Sequence, residues 1–178
     1  MVYSLFMAAD ELKEADSVLV SYADILYSED VLRTLMDAEG SWNVVVDSEW
    51  HSYYSARSDD VLSDAESLIV KDGRIIDIGR RVDSIDDIQG QYIGLMKFDR
   101  RAIELVLDLV SGGLEDGREI GWGRPVRTAY MTDLLQEVAN HGEEIRPVPI
   151  SGGWFEVDTL EDHALAEQLL PSLGLGPA

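Results

Sequence analysis

Residues 17–35, SVLVSYADILYSEDVLRTL, decide the fold of this chain. They open with an almost continuous apolar and β-branched run at 17–22, which is typical of a strand in a parallel sheet that is covered on both faces. An acid, Asp24, follows the run, and Ser28 is then in position to cap a helix with an apolar face. The stretch therefore predicts a strand followed by a helix, with a carboxylate at the carboxyl end of the strand.

The same alternation continues on both sides of this stretch. The sequence predicts a mixed, mainly parallel, Rossmann-like α/β sheet flanked by helices, with an antiparallel β-hairpin inserted at Asp72-Gly73, all in a single domain over 1–178. The predicted elements are a helix over 2–14, strands at 17–22 and 43–47, a hairpin over 66–79, a strand at 91–98, a helix that stops at Gly112, a surface loop over 114–126, a helix over 131–142, an edge strand at 145–150 and a strand at 154–158 before a last helix.

The composition excludes several classes of partner. The chain has 35 acidic residues against 14 Lys and Arg, a formal net charge of −21, which repels nucleic acid and anionic lipid. No apolar run approaches the roughly 20 residues of a membrane span, and the start of the sequence lacks a secretory signal, so we expect a cytoplasmic protein. An anionic ligand would need a cation to mediate its binding, although an acidic surface can also serve solubility alone.

Three acids fall where the predicted strands end. Asp24 follows the strand at 17–22, and Glu156 and Asp158 share one face of the strand at 154–158. Ligands of open α/β sheets bind at that end of the strands, and carboxylate oxygens suit Mg²⁺ that bridges to substrate phosphates. The alternative is structural, with Asp24 starting a turn and Asp158 belonging to the cap of the last helix.

Aromatic side chains accompany acids in residues 47–57, DSEWHSYYSAR. Trp50, Tyr53 and Tyr54 could enclose a quaternary ammonium through cation–π contacts, with a carboxylate nearby. The alternative is a loop that its aromatic residues anchor to the core.

Six segments, taken in order, resemble the later two-thirds of the nucleotidyltransferase family, and most of all the small cytidylyltransferases that activate phosphocholine or phosphonates. YADIL and GWFEVDTLED are the most specific of these pieces, and the similarity extends over about residues 3 to 170. The segments are VLVSYADILYSEDVLRTL, VVVDSEWHSYYSAR, AESLIVKDGRIIDIG, GQYIGLMKF, TDLLQEVANHG and GGWFEVDTLEDHALAE.

The resemblance implies a reaction and roles for particular residues. A phosphate or phosphonate oxygen of the acceptor would attack the α-phosphorus of CTP and release pyrophosphate, with Mg²⁺ as cofactor. Asp24 and Asp158 would be the catalytic acids, and Asp24, Glu156 and Asp158 the metal ligands. The implied acceptor-binding residues are Trp50, Tyr53, Tyr54, Glu66, Tyr92 and Asp133, joined for a phosphonate by Arg57 and Lys97.

The chain departs from the family at its start, where no Gly-rich loop with an Arg and a later Lys precedes the metal-bearing strand. We therefore expect it to bind CTP poorly alone, and to act as a homo-oligomer or with a complementing N-terminal chain. Two alternatives stay open: a catalytically silent module that binds the acceptor or serves assembly, and a sugar-1-phosphate nucleotidyltransferase. A metal-dependent glycosyltransferase usually carries Asp-x-Asp at this strand end, and YADIL does not.

Overall fold

The computed structural model of the protein describes residues 1–57, 60–63 and 65–173. The α-helices in these residues are α1 (Val2–Phe6), α2 (Ala9–Glu14), α3 (Glu29–Asp37), α4 (Trp50–Arg57), α5 (Arg100–Asp116), α6 (Met131–Asn140) and α7 (Leu160–Leu169). The strands are β1 (Ser17–Ser21), β2 (Ile25–Tyr27), β3 (Trp42–Asp47), β4 (Glu66–Lys71), β5 (Arg74–Arg81), β6 (Gln91–Asp99), β7 (Glu119–Ile120), β8 (Arg124–Pro125), β9 (Ile145–Ile150) and β10 (Trp154–Glu156). None of the helices in this part of the chain combines the length and the apolar character that a membrane span requires.

The central sheet has four strands in the order β1-β6-β3-β9. β3 and β9 are parallel neighbours, and β6 runs antiparallel to both β1 and β3. Three of the four strands therefore point the same way, with the reversed strand β6 between two of them. The predicted mixed, mainly parallel α/β sheet is confirmed.

The core is arranged around β3, whose six residues are all buried. Alternate side chains enter different clusters: Trp42, Val44 and Val46 pack with residues of α5 and α6, while Val45 packs with Leu35 of α3. Burying each such aliphatic side chain contributes about 1.5–3 kcal/mol, so a strand covered on both faces can anchor the sheet. This is the short buried strand that the sequence predicts at 43–47.

The predicted hairpin is also confirmed. β4 and β5 pair antiparallel across Asp72 and Gly73, whose positive φ angles of 51° and 76° are those of a tight primed turn. The backbone N–H of Ile78 in β5 donates to Oε1 of Gln136 in α6 at 2.9 Å, so the hairpin is fixed to a helix.

Several element boundaries differ from the prediction. The helix over 2–14 is divided by a turn at 7–8 into α1 and α2, and β1 alternates between exposed and half-buried residues rather than being covered on both faces. Helix α5 passes Gly112 and ends at Asp116, where Gly117 takes the left-handed conformation at φ 67°. The region 114–126, predicted as a loop, contains the end of α5 and the small hairpin of β7 and β8.

The last predicted strand is shorter than 154–158. β10 ends at Glu156 and pairs antiparallel with β2, a strand that the sequence analysis missed, in a two-stranded ribbon outside the central sheet. The prediction that Glu156 and Asp158 share one face of a strand was wrong, because Asp158 lies beyond the end of β10. Asp24 lies in the turn between β1 and β2.

Candidate active site

A cavity of about 280 Å³ opens where the ends of β1, β4, β6 and β10 meet the start of α6. Acids and tyrosines dominate its lining, and no lysine or arginine side chain lines the described part of it. The carboxylates are Glu66, Glu156 and Asp158, and the tyrosines are Tyr22, Tyr54, Tyr92 and Tyr130. Such a lining is complementary to a positively charged group.

The backbone of Glu66 is fixed by the side chain of Gln91. Nε2 of Gln91 donates to the Glu66 carbonyl at 2.6 Å, and Oε1 accepts from the Glu66 N–H at 3.3 Å. Burial, followed by the negative charge of Asp133, raises the pKa of the Glu66 carboxyl to about 7, against the lowering effects of Thr132 and Arg124. The Glu66 carboxyl can therefore gain or lose its proton near neutral pH, and a cation beside it would favour the ionised form.

Two tyrosines pack beside Glu66. The rings of Tyr22 and Tyr92 meet edge to face at a centroid distance of 5.7 Å, and burial raises the pKa of both hydroxyls. Gly94 makes room for this pair, because a Cβ added there would lie 2.6 Å from Cδ2 of Tyr22, and its φ is +85°. The Tyr22 N–H also donates to the Gly94 carbonyl at 2.9 Å. A glycine within a strand here permits the close approach of an aromatic ring.

The backbone places Asp24 opposite Val157, the residue before Asp158. The N–H of Val157 donates to the carbonyl of Asp24 at 2.8 Å, which extends the pairing of β10 with β2 by one residue. Both carboxylates are exposed, and Asp24 and Glu156 each contribute negative charge at Tyr22. Among the described residues no group of three or more His, Cys, Asp and Glu side chains is arranged to hold a metal ion. Asp158 lines the cavity and Asp24 does not, but both offer the oxygen ligands of Mg²⁺, which commonly takes one or two protein carboxylates and completes its shell with water and phosphate oxygens.

The ribbon that carries Glu156 is fixed by the side chains of Tyr53 in α4 and Asp47 at the end of β3. Tyr53 accepts a hydrogen bond from the N–H of Glu156 at 2.9 Å. Asp47, fully buried at the end of β3, accepts from the N–H of Glu49 at 2.9 Å, the N–H of Gly152 at 3.0 Å and Nε1 of Trp154 at 2.9 Å. A buried carboxylate with three donors is well satisfied, so Asp47 is a positioning residue for β10.

The other predicted acceptor residues have mixed placements. Tyr54, Glu66 and Tyr92 line the cavity, whereas Trp50 is buried in a core cluster that includes Tyr54. Tyr53 packs on Trp154 with ring centroids 4.7 Å apart. The side chain of Arg57 lies outside the described part of the structure.

Two of the predicted residues have structural partners. Lys97 donates to the carbonyls of Met36 and Ala38 at 2.8 and 2.5 Å, at the end of α3, and does not line the cavity. Asp133 accepts from the N–H of Tyr130 at 2.8 Å and lies 3.0 Å from Nε of Arg124, so it caps α6 and acts on the cavity through its charge.

Sequence reasoning missed Tyr22, Gln91, Tyr130 and Thr132 as cavity residues. Tyr22 could have been found, since it stands two residues before Asp24 at the end of the same strand. The other three lie at the starts of β6 and α6, where no local pattern distinguishes a cavity residue from a capping residue. A larger cavity of about 810 Å³, beside the start of α3, contains none of the predicted site residues.

The fold is shared with solved nucleotidyltransferases. The chain superimposes on an inositol-1-phosphate CTP transferase from T. maritima with a TM-score of 0.64 at 19% identity, covering 99% of this chain and 63% of that one. It also superimposes on a candidate glucose-1-phosphate thymidylyltransferase from Bacillus anthracis, solved with sucrose, with a TM-score of 0.63 at 15% identity, covering 95% and 60%. At these identities the likeness is one of fold.

A curated relative gives a more specific match. The chain is 32% identical over 166 residues to the CTP:phosphoglutamine cytidylyltransferase of Campylobacter jejuni, which covers 91% of this chain and 65% of the relative. No protein-family model matches the sequence. The resemblance to nucleotidyltransferases, inferred from the sequence, is confirmed. The chain spans 65%, just under two-thirds, of the length of this relative.

Proposed function

We propose that this protein takes part in Mg²⁺-dependent transfer of a cytidylyl group from CTP to a phosphorylated or phosphonate acceptor that carries a cationic amine. A phosphoryl oxygen of the acceptor forms a bond to the α-phosphorus of CTP, the bond from that phosphorus to the bridging oxygen breaks, and pyrophosphate leaves. The observation that carries the proposal is the cavity of tyrosines and carboxylates in a chain similar to a cytidylyltransferase.

The cavity supports an amine in the acceptor. Glu66 is held by Gln91 at one side of the cavity, and rings of Tyr22, Tyr54 and Tyr92 surround the same space. An ammonium group there gains both a carboxylate partner and cation–π contacts, which contribute about 0.5–2 kcal/mol each. Phosphocholine and 2-aminoethylphosphonate fit this description, and the relative's phosphoglutamine is an acceptor of a third kind.

Asp24 and Asp158 support the binding of the metal. Their oxygens are the ligand type that Mg²⁺ prefers, and they follow the two strands that border the cavity. When bound, Mg²⁺ would neutralise the developing negative charge on the phosphoryl oxygens. The chain itself would orient the acceptor through Glu66 and the tyrosines, so its contribution is mainly positioning.

The charge of the site also limits what the chain binds. Three carboxylates line the cavity, no lysine or arginine side chain lines its described part, and the net charge is −21. A triphosphate is repelled by such a field, so we propose that the isolated chain binds CTP weakly and needs saturating CTP and Mg²⁺ for turnover.

The test is pyrophosphate release at saturating CTP and Mg²⁺ with separate acceptors. Phosphocholine and 2-aminoethylphosphonate should support release. 3,3-Dimethylbutyl phosphate, in which an uncharged tert-butyl group replaces the trimethylammonium group of phosphocholine, should support little pyrophosphate release. The same is expected of 2-hydroxyethylphosphonate. Asp24→Asn should abolish release, whereas Asp37→Asn, at an exposed acid that ends α3, should leave it unchanged.

The acceptor is tested separately by calorimetric titration of phosphocholine in the absence of CTP. Binding that is lost in Glu66→Gln, without pyrophosphate release under any condition, would favour a catalytically silent acceptor-binding module. Equal binding of phosphocholine and its uncharged isostere would refute the amine site.

A further inference from the structure

Helix α6 is held against the hairpin that carries Glu66. The backbone N–H of Ile78 donates to Oε1 of Gln136 at 2.9 Å, and Nε2 of the same glutamine donates to the carbonyl of Ile76 at 3.4 Å. Both isoleucines belong to β5, which pairs with β4, and Glu66 is the first residue of β4. The helix and the start of β4 are therefore fixed relative to each other through β5.

Gly79 of β5 allows Thr132, the second residue of α6, to approach the backbone of the hairpin closely. A Cβ added at Gly79 would lie 2.3 Å from Cβ of Thr132 and 2.6 Å from its Oγ1, and the φ of Gly79 is +84°. The glycine lies where the pairing of β4 and β5 shifts register, an irregularity at which glycine permits close packing. The Thr132 side chain is fixed by this packing, and the residue is only 5% exposed.

Thr132 and Glu66 meet at the cavity. Both residues line it, and the Thr132 side chain makes a hydrogen bond with the Glu66 carboxyl. Burial raises the pKa of Glu66, whereas this hydrogen bond lowers it. A hydroxyl bonds more strongly to an ionised carboxylate than to the neutral acid, so the bond favours the ionised form. The χ1 angle of a β-branched threonine is restricted, which limits the directions in which its hydroxyl can point.

We propose that Thr132 is a positioning residue, which donates its hydroxyl hydrogen to the Glu66 carboxylate and holds that carboxylate ionised and directed into the cavity. Thr132 thereby sets the affinity of the cavity for the cationic group of the acceptor without touching the acceptor. The role in acceptor binding rests on the proposed function, whereas the hydrogen bond itself is independent of it.

Other titratable groups face the same carboxyl from the elements packed around it. Those that act on its charge, or whose own pKa it raises, are Asp133 of α6, Arg124 of β8, Glu156 of β10, Tyr22 after β1 and Tyr92 of β6. Asp158, Tyr54 and Tyr130 also line the cavity, and Arg81 lies opposite Glu66 in β5. All of these groups are retained when Thr132 is replaced, so a difference among variants at that position reports the hydroxyl.

The first test uses no ligand. Carbon NMR of protein with isotope-labelled glutamate carboxyls should follow the titration of Glu66, whose signal is identified by its absence from Glu66→Gln. Thr132→Val replaces the hydroxyl by a methyl group of similar size, and should raise the titration midpoint from about 7 by roughly one pH unit. Thr132→Ser retains the hydroxyl and should titrate as the wild type does. Thr128→Val, which removes an exposed hydroxyl that donates to the Pro125 carbonyl, should leave the midpoint unchanged.

The second test is calorimetric titration of phosphocholine in the absence of CTP and Mg²⁺. Because the ionised carboxylate is the form that holds the ammonium group, the apparent Kd is the intrinsic Kd divided by the ionised fraction. A midpoint shift of about one unit then weakens binding to Thr132→Val roughly fivefold at pH 7 and very little at pH 9, where Glu66 is ionised in both proteins. A merely structural role would weaken binding equally at both pH values.

Thr132→Ala, which also lacks the hydroxyl, takes the place of the valine variant if the latter fails to fold. An unchanged midpoint in these variants would overturn the proposal whatever the protein binds. A raised midpoint with equal weakening of phosphocholine binding at pH 7 and pH 9 would overturn the role of Thr132 in acceptor binding. A raised midpoint in a chain whose wild type binds no phosphocholine at either pH would confirm the hydrogen bond and refute the proposed amine site.

Discussion

Replacing Glu66 by Gln should change how the stability of the protein depends on pH. Burial raises the pKa of the Glu66 carboxyl from 4.5 in the unfolded chain to about 7 in the folded one, so the folded state holds this proton more tightly. The stabilisation of the folded state by protonated Glu66 is fully present below pH 4.5 and is lost as the pH rises through 7. A shift of this size corresponds to about 3 kcal/mol of free energy of unfolding.

The assay is urea unfolding of the wild type and Glu66→Gln at intervals between pH 4.5 and 8. Other acids affect both proteins equally, so the quantity of interest is the difference between their unfolding free energies. The wild type should lose about 3 kcal/mol relative to the variant across this range, because Gln at this position cannot ionise. Glu104→Gln, at an exposed position on α5, should give no such change.

A constant difference between wild type and Glu66→Gln over the whole pH range would refute the reasoning. It would mean that the folded state stabilises the Glu66 carboxylate to the same extent as water does, so that the pKa of this group does not change on folding. The inference that burial destabilises the Glu66 carboxylate would then be wrong.

Four further outcomes follow from the geometry. Gly94→Ala should lower the unfolding free energy by about 2 kcal/mol in urea titrations, because Cβ meets the Tyr22 ring at positive φ, whereas Gly112→Ala in helix α5 should be neutral or stabilising. Asp47→Asn should cost about 2–3 kcal/mol in the same assay and weaken phosphocholine binding, since β10 loses its anchor. Lys97→Met should lower the unfolding free energy by about 1 kcal/mol, because the carbonyls at the end of α3 lose a donor. A lower thermal unfolding midpoint with unchanged phosphocholine binding would show that Lys97 has no role in the cavity. Calorimetric titration should find weak CTP binding, and tight binding would contradict the electrostatic argument.

The elements that the sequence predicted well are those in which one local signal dominates. The buried strand at 43–47 contains three consecutive valines, and the hairpin has Asp-Gly at its turn, so neither depends on distant contacts. The proline-marked edge strand β9 belongs to the same group.

The misplaced features depend on tertiary pairing. The apolar run at 17–22 suits a buried strand, yet its cover is decided by tertiary packing, and β1 alternates between exposed and half-buried residues. β2 has only three residues, and its partner β10 lies far away in the chain, so no window of sequence contains the pattern.

The candidate site shows the same division. Four residues chosen for their places at the ends of predicted strands line one cavity, namely Glu66, Tyr92, Glu156 and Asp158. Lys97, chosen for its charge, instead binds carbonyl groups at the end of α3. Charge type alone cannot distinguish a ligand-binding lysine from one that caps a helix, because both require only acceptors within reach.

The hydrogen bonds of Asp47 also bear on the order in which the molecule assembles. Its partners at Gly152 and Trp154 are 105 and 107 residues further along the chain. Contacts of such separation carry a large loop-closure entropy and form late in folding. The ribbon that brings Glu156 beside Tyr22 can therefore form only after nearly the whole chain has been synthesised. A nascent chain on the ribosome from which β10 has not yet emerged would have a folded core but no complete cavity.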